Sequence, residues 1–271
     1  MKRNFIKKAS ALVLFFTMAV GALTGCGGSN KTAKTDDGRT VVRLGEYTSG
    51  SDQYIRIIGT NKGFFEKYGI SIEANEYASG INTVDAIVTG QEDIGYVADY
   101  ALINRIGNTQ DSFNIKIVSR EQTSALYNLY VYPEEIKSLA DLNGKSIITH
   151  PGTIFDYYSD VAFDKAGVAV KDRKLINVDS GQAALAVLAS HGASAYWASG
   201  NTANKLQENG LEKLVSMKDL GLSVDSYYVA SDSFIKSSPD TVTKFLKAVK
   251  ETEEWIVNNL QEAGEIVERE K

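Results

Sequence analysis

The sequence predicts an α/β protein built as two α/β lobes with a ligand cleft between them. Three observations carry that expectation. The order strand, helix, strand, helix, strand runs once over residues 40–97 and again over residues 146–197, the pattern of a parallel sheet with helices packed on it. Two blocks of letters agree between the copies in the same order. Phe65-Glu66-Lys67-Tyr68-Gly69-Ile70 matches Phe163-Asp164-Lys165-Ala166-Gly167-Val168, and Ala86-Ile87-Val88 with Gly95-Tyr96-Val97-Ala98 matches Ala186-Val187-Leu188 with Ala195-Tyr196-Trp197-Ala198. The blocks start 21 residues apart in the first copy and 23 in the second, which suggests two similar lobes rather than a solenoid.

The chain opens with Lys2, Arg3, Lys7 and Lys8, then an apolar run from Ala9 to Leu23, then Leu23-Thr24-Gly25-Cys26. That is signal-peptide order: basic, apolar, small. The run is short for a membrane span of about 20 residues and carries Ser10 and Thr17. Leu23-Thr24-Gly25-Cys26 resembles the lipobox of bacterial lipoproteins. The resemblance implies that residues 1–25 are a lipoprotein signal peptide, that Cys26 carries lipid (palmitate), and that the mature chain sits on the extracytoplasmic face of the cell membrane. The alternative is a plain signal peptide or short membrane helix with Cys26 an incidental thiol.

Residues 1–25 carry four positive side chains and no negative one, so their removal takes the net charge from −5 to −9. An acidic chain disfavours nucleic acid and charge-driven membrane binding. With Cys26 modified no cysteine remains for a disulfide, so packing alone must hold the fold.

Residues 26–39 are small, polar and unpatterned and read as a flexible tether. A strand follows at Thr40–Glu46, then one helical pattern through Tyr54, Ile55, Ile57, Ile58, Phe64, Phe65 and Tyr68, with Gly69 as its stop. Ile70–Tyr77 alternates as a strand, Val84, Ile87 and Val88 mark a helix, and Ile94–Val97 is a strand. The second copy has strands at Ser146–Thr149, Leu175–Val178 and Ser194–Trp197, with helices opened by Pro151-Gly152-Thr153 and by Ser180. Between the copies, Ile115–Arg120 and Ala125–Val131 are strand-like and Glu121-Gln122-Thr123-Ser124 is a candidate linker. Strands at Leu214–Ser216 and Tyr227–Ala230 precede a long helix opened by Pro239. The expected domains are therefore lobe 1 over 40–120, lobe 2 with both crossovers over 121–226, and a return to lobe 1 over 227–271.

Ligands of open α/β sheets bind beyond the carboxyl ends of the strands, at helix N-termini. Six loops meet that description: 47–52, 77–80 and 97–100 in lobe 1, and 150–156, 179–182 and 197–201 in lobe 2. The candidate ligand-binding residues drawn from them are Tyr47, Asp52, Tyr77, Ser79, Gly80, Asp99, Gly152, Thr153, Asp179 and Trp197. Trp197 leads because it stands at a strand's carboxyl end. Asp52, Asp99 and Asp179 each precede a helical pattern, where capping is as good a reason for an acid.

Phe64-Phe65-Glu66-Lys67-Tyr68-Gly69-Ile70, Gly90-Gln91-Glu92-Asp93-Ile94-Gly95 and Leu139-Ala140-Asp141-Leu142-Asn143-Gly144-Lys145 are similar to blocks of the SsuA/THI5-like (NMT1) family of extracytoplasmic solute-binding proteins. The likeness covers roughly residues 41–260. It implies a periplasmic-binding-protein type II fold and a monomer that captures a small solute and delivers it to an ABC permease with its ATPase. Two features depart from the family. Gly192-Ala193-Ser194-Ala195 has a small residue in place of the usual acid, and the sequence stops at Lys271 where the family commonly runs on through further helix.

Tyr47, Tyr54, Tyr77, Tyr96, Tyr100, Phe155, Tyr157, Tyr158, Tyr196 and Trp197 lie in or beside the six loops, together with Asp52, Asp99, Asp156 and Asp179. His150 is the one possible cation there. Aromatic faces with carboxylates favour a pyrimidine-like or other nitrogen heterocycle; an oxyanion such as an alkanesulfonate or nitrate is the alternative. No His-Glu-x-x-His, Gly-x-Ser-x-Gly or Gly-x-Gly-x-x-Gly occurs, and no catalytic residue, metal or cofactor is expected. The other classes are an enzyme of the thiamine-pyrimidine synthase type, for which the cysteine-rich stretch is missing, and a sensory binding protein.

Overall fold

The computed structural model describes residues 33–48, 51–109 and 114–270. The signal-peptide and Cys26 readings lie outside the described residues. The chain lays down β1 (Thr40–Tyr47), α1 (Asp52–Asn61), α2 (Phe64–Lys67), β2 (Ile70–Tyr77), α3 (Gly80–Val88), β3 (Ile94–Ala98), α4 (Asp99–Thr109) and β4 (Ile115–Ser124). It then crosses to β5 (Asn128–Val131), β6 (Ser146–Thr149), α5 (Ile154–Lys165), β7 (Lys174–Asn177), α6 (Gly181–Ala189), β8 (Ala195–Ala198), α7 (Gly200–Glu208) and β9 (Glu212–Ser216). It returns as β10 (Val224–Ser231), α8 (Asp232–Ser237), α9 (Pro239–Asn258) and α10 (Leu260–Glu270).

Two five-stranded sheets result, ordered β2-β1-β3-β10-β4 and β7-β6-β8-β5-β9. In each, three strands are parallel, and the fourth, which arrives by a crossover, is antiparallel to both neighbours. Each sheet buries both faces. Ile55 of α1, Phe65 of α2 and Phe245 of α9 pack with Leu44 and Tyr96 on one face of the first sheet, and Val84, Ile87 and Leu102 cover the other. In the second sheet Tyr158 and Phe163 of α5 face Ile147 and Trp197, while Ala184, Leu188 and Leu206 of α6 and α7 face Ile148 and Tyr196.

Helix ends follow local chemistry. Gly69 and Gly167 both adopt positive φ after a helix and donate back to the carbonyls of Glu66 and Asp164, as glycine stops do. The continuous helix expected over Tyr54–Tyr68 is instead split into α1 and α2, because Gly63 turns left-handed at φ 72°. The tether reading fails at its C-terminal end: Thr35 and Arg39 close a turn, and Lys34 pairs with Thr40 as an isolated bridge. The linker reading of Glu121–Ser124 is also overturned. These residues finish β4, paired with Val224–Ser226 of β10, so the first sheet extends past the expected boundary at both crossovers.

Candidate crevice between the lobes

The carboxyl ends of the parallel strands of the two sheets meet across a crevice. On the first lobe, β1 ends in Tyr47, α1 begins with Asp52, and β3 supplies Tyr96, whose ring stacks on Tyr47 at 5.7 Å. The Tyr96 hydroxyl donates to Glu121 Oε2 at 3.0 Å and lies 2.9 Å from Ser51 Oγ. Gln122 Nε2 donates to both Ser51 Oγ, at 2.6 Å, and the Tyr96 hydroxyl, at 3.1 Å. Side chains from three separate segments are thus tied into one polar patch beside an aromatic floor. Arg56, one turn along α1 from Asp52, is ion-paired with the buried Glu46 at 2.7 Å.

On the second lobe, Tyr127 follows the first crossover, His150 follows β6, Phe155 lies in the first turn of α5, and Ser199 follows β8. Tyr127 meets Phe155 edge-on at 5.3 Å, and Phe155 also contacts His150 and Tyr196. His150 Nδ1 lies 3.1 Å from the Val178 carbonyl and Nε2 lies 2.7 Å from the Tyr196 hydroxyl. A carbonyl only accepts, so Nδ1 carries the proton and the tyrosine donates to Nε2. Burial lowers the pKa of this imidazole, which agrees with a neutral ring.

The walls touch. Tyr127 lies beside Tyr47 of the other lobe and beside Ser199, which brings the aromatic faces of the lobes together. Tyr100 of α4 stacks on Tyr157 of α5 at 5.7 Å. Gly152, at φ 75°, leaves room for Ile81 of α3: a Cβ there would stand 2.9 Å from the isoleucine Cδ1. A side chain larger than hydrogen would make the Ile81 terminal methyl shift at that point.

Charge in the crevice is acidic and enclosed. Burial, then Glu46 and Glu121, push the Asp52 carboxyl well up, and the backbone N–H groups of Asp52 and Gln53 offset this only in part. Burial raises Glu121 to about 7 against a hydrogen bond from Tyr96 that lowers it. Tyr47 is raised by burial and then by Tyr127. A separate cavity of about 370 Å³, where α1, β2 and α10 meet, is lined by Arg56, Thr60, Glu76 and Glu270 and by none of the crevice aromatics.

Several residues expected in the crevice are committed elsewhere. Trp197 is fully buried in the second lobe, edge-on to Tyr158 at 5.6 Å, among Leu129, Ile147 and Phe163. The strand's alternation turns it to the α5 face rather than outward. Tyr77 reaches back to donate to Glu92 at 2.7 Å, packing where Gly45 has no side chain and pointing toward the start of β3. Ser79 donates to Asn82 within the first turn of α3. Gly80 is a packing residue: a Cβ there would meet the Val97 Cα at 3.2 Å. Asp99 accepts from the backbone N–H groups of Tyr100 and Asp225, so it ties α4 to the second crossover. Asp156 accepts from Gly152 N–H, and the Thr153 hydroxyl from Phe155 N–H, so both shape the start of α5. Asp179 is exposed. Of the ten candidates, Tyr47 and Asp52 stand in the crevice wall. Ser51, Glu121, Gln122, Tyr127 and Ser199 join them without having been singled out. The sequence signal for Glu121 and Gln122 was the polar run at the end of an alternating strand, which reads as linker until both crossovers are seen to pass the crevice.

Two facing α/β lobes joined by paired crossovers have the fold of the periplasmic binding proteins. The chain belongs to the NMT1/THI5-like family, whose model matches residues 53–263. A Brucella abortus (strain 2308) protein described as a candidate binding protein is 25% identical over 228 residues, spanning 83% of this chain and 70% of its own. YtlA of Bacillus subtilis, described in the same way, is 22% identical over 231 residues, 83% of this chain and 69% of its own. The alkanesulfonate-binding protein SsuA of Xanthomonas axonopodis pv. citri, solved with MOPS, superposes with a TM-score of 0.71 at 15% identity, covering 88% of this chain and 80% of its own. The nitrate-binding protein NrtA of Synechocystis PCC 6803 gives 0.69 at 17% identity, covering 84% and 66%. These relatives and neighbours are described as binding proteins. Among the described residues no group of histidine, cysteine and acids could hold a metal, and no helix is long and apolar enough to cross a membrane.

Proposed function

We propose that the crevice captures a flat, nitrogen-bearing solute of the pyrimidine-like class and that the loaded protein hands it to an ABC permease. The observation that carries this reading is the wall itself: tyrosine faces beside the carboxyls of Asp52 and Glu121, with Arg56 of α1 paired to Glu46 instead. Rings stack on a heterocycle, and carboxyls accept its N–H groups. Tyr47, Asp52, Glu121, Tyr127 and Tyr196 are the residues assigned to the solute. An oxyanion is disfavoured at α5, where the N–H groups it would use already go to Asp156 and Thr153.

Cys26 is assigned as the lipid attachment site, with residues 1–25 as the signal peptide and the protein acting as a monomer on the extracytoplasmic face. Labelled palmitate should enter the wild-type chain and not Cys26→Ser; equal labelling would overturn that assignment. For the solute, a thermal-shift screen of pyrimidines, flavins, polyamines and alkanesulfonates is the direct test, because a ligand that binds only the folded state raises Tm. Stabilisation by pyrimidines supports the reading. Stabilisation by alkanesulfonates alone would replace it with the oxyanion reading, which the sulfonate- and nitrate-binding neighbours favour.

A further inference from the structure

Asp52 is the first residue of α1, and its side chain is 0% exposed. Neither carboxyl oxygen has a hydrogen-bond partner. A buried carboxylate without partners is among the costliest arrangements a fold can hold. The groups that act on it offer no cation to compensate. From β1 come Glu46 and Tyr47, from β3 Tyr96, from β4 Glu121, and from β10 Tyr228. Arg56 of α1 is engaged with Glu46, Tyr127 reaches Tyr47 from the other lobe, and Glu253 of α9 adds a further negative group behind Glu121. Helix capping does not account for the residue: Ser51 holds the N-cap position, and the backbone N–H groups of Asp52 and Gln53 that favour the carboxylate do not reach hydrogen-bond geometry with it.

We propose that Asp52, with Glu121 beside it, is the selecting group of the crevice: it receives the N–H edge of a flat cationic nitrogen solute, of the amidinium or protonated aminoheterocycle class. This rests on the reading of the crevice as the solute site and adds the charge state and the residue that reads it. A proton consequence follows. With the crevice empty, burial favours the protonated form of these carboxyls, with no neighbouring cation to displace the proton. When a cation seats on Asp52, the carboxyl O–H bond breaks, its electron pair stays on oxygen, and the proton passes to solvent. Capture therefore releases protons and tightens as pH rises through neutrality.

The test uses the full chain with benzamidine and 4-aminopyridine as cationic probes, benzamide as a neutral match and benzenesulfonate as an anion. The cations should raise Tm and bind more tightly at pH 8 than at pH 6, and benzamide should bind about tenfold more weakly than benzamidine. Calorimetry in phosphate and in Tris should give binding heats that differ by the buffers' ionisation heats, reporting proton release. Asp52→Asn, nearly the same shape, should lose about tenfold or more in cation affinity, and Glu121→Gln should flatten the pH dependence. Circular dichroism confirms that each variant is folded. Equal cation affinity in wild type and Asp52→Asn overturns the inference. So does failure of both cations to bind; if benzenesulfonate then binds, the crevice still holds the solute and only the carboxylate role is lost.

Discussion

Glu121 has the most readily measured consequence of any single side chain here. Its carboxyl titrates near 7 in the fold, against an ordinary value of 4.5, because burial outweighs the Tyr96 hydrogen bond. A raised carboxyl favours the folded state when protonated. Its contribution is therefore full below about pH 4 and is lost as pH climbs through 7. The Tm of the empty protein should fall between pH 5 and 8, and Glu121→Gln should recover about 2–4 °C of that fall, the side chain being partly solvated. Scanning calorimetry across that range checks it; parallel curves for the two proteins would refute it. Trp197 leads to a different expectation. Its ring fills the core of the second lobe with no exposed surface, so Trp197→Ala should cost about 3–5 kcal/mol of stability, and any loss of binding would follow from the damaged lobe. Urea unfolding measures it, and an unchanged midpoint would contradict the placement.

At the scale of elements, the internal repeat explains why Trp197 misled. Letters align Tyr96 with Tyr196. The ladders align differently: Leu44 pairs with Ile94 as Ile147 pairs with Ala195, and Leu44 and Ile147 both face the helix that follows their strand. Two residues on from each partner stand Tyr96 and Trp197, so the tryptophan takes the core position of the first lobe's tyrosine. Topology was legible because apolar periodicity and glycine stops are local, and Gly69 and Gly167 behave alike. A one-residue register was not, because it is set by pairing between distant strands. The same holds for Glu121 and Gln122, whose place in β4 depends on a partner strand more than 100 residues on. Another close contact is testable within one element. A Cβ on Gly59 of α1 would stand 2.6 Å from Phe65 Cε2 and 2.7 Å from Thr252 Oγ1 of α9. Gly59→Ala should therefore destabilise by about 1–3 kcal/mol despite alanine's better helix propensity. A stabilised variant in urea would show that α1 and α9 are less tightly apposed.

For the whole molecule, the polar contact of Tyr127 with Tyr47 and Ser199 lies where the lobes meet across the crevice. Tyr127→Phe removes the hydroxyl at that contact and keeps the ring, so the balance between closed and open forms should move toward open by about fivefold, the worth of roughly 1 kcal/mol. Small-angle scattering of the solute-free protein should then give a larger radius of gyration than wild type; identical curves would mean that the apolar contacts alone keep it shut. The two crossovers have one more consequence, which concerns time rather than shape. Sheet two is encoded in a single stretch, from β5 at Asn128 to β9 at Ser216. Sheet one has its first four strands in hand by Ser124, but its second-to-last position belongs to β10, at Val224–Ser231. A chain that emerges from the ribosome or the export channel amino end first can finish the later-encoded lobe before the earlier one. Until β10 arrives, β3 and β4 wait with an open edge each, the stage at which a chaperone has most to protect.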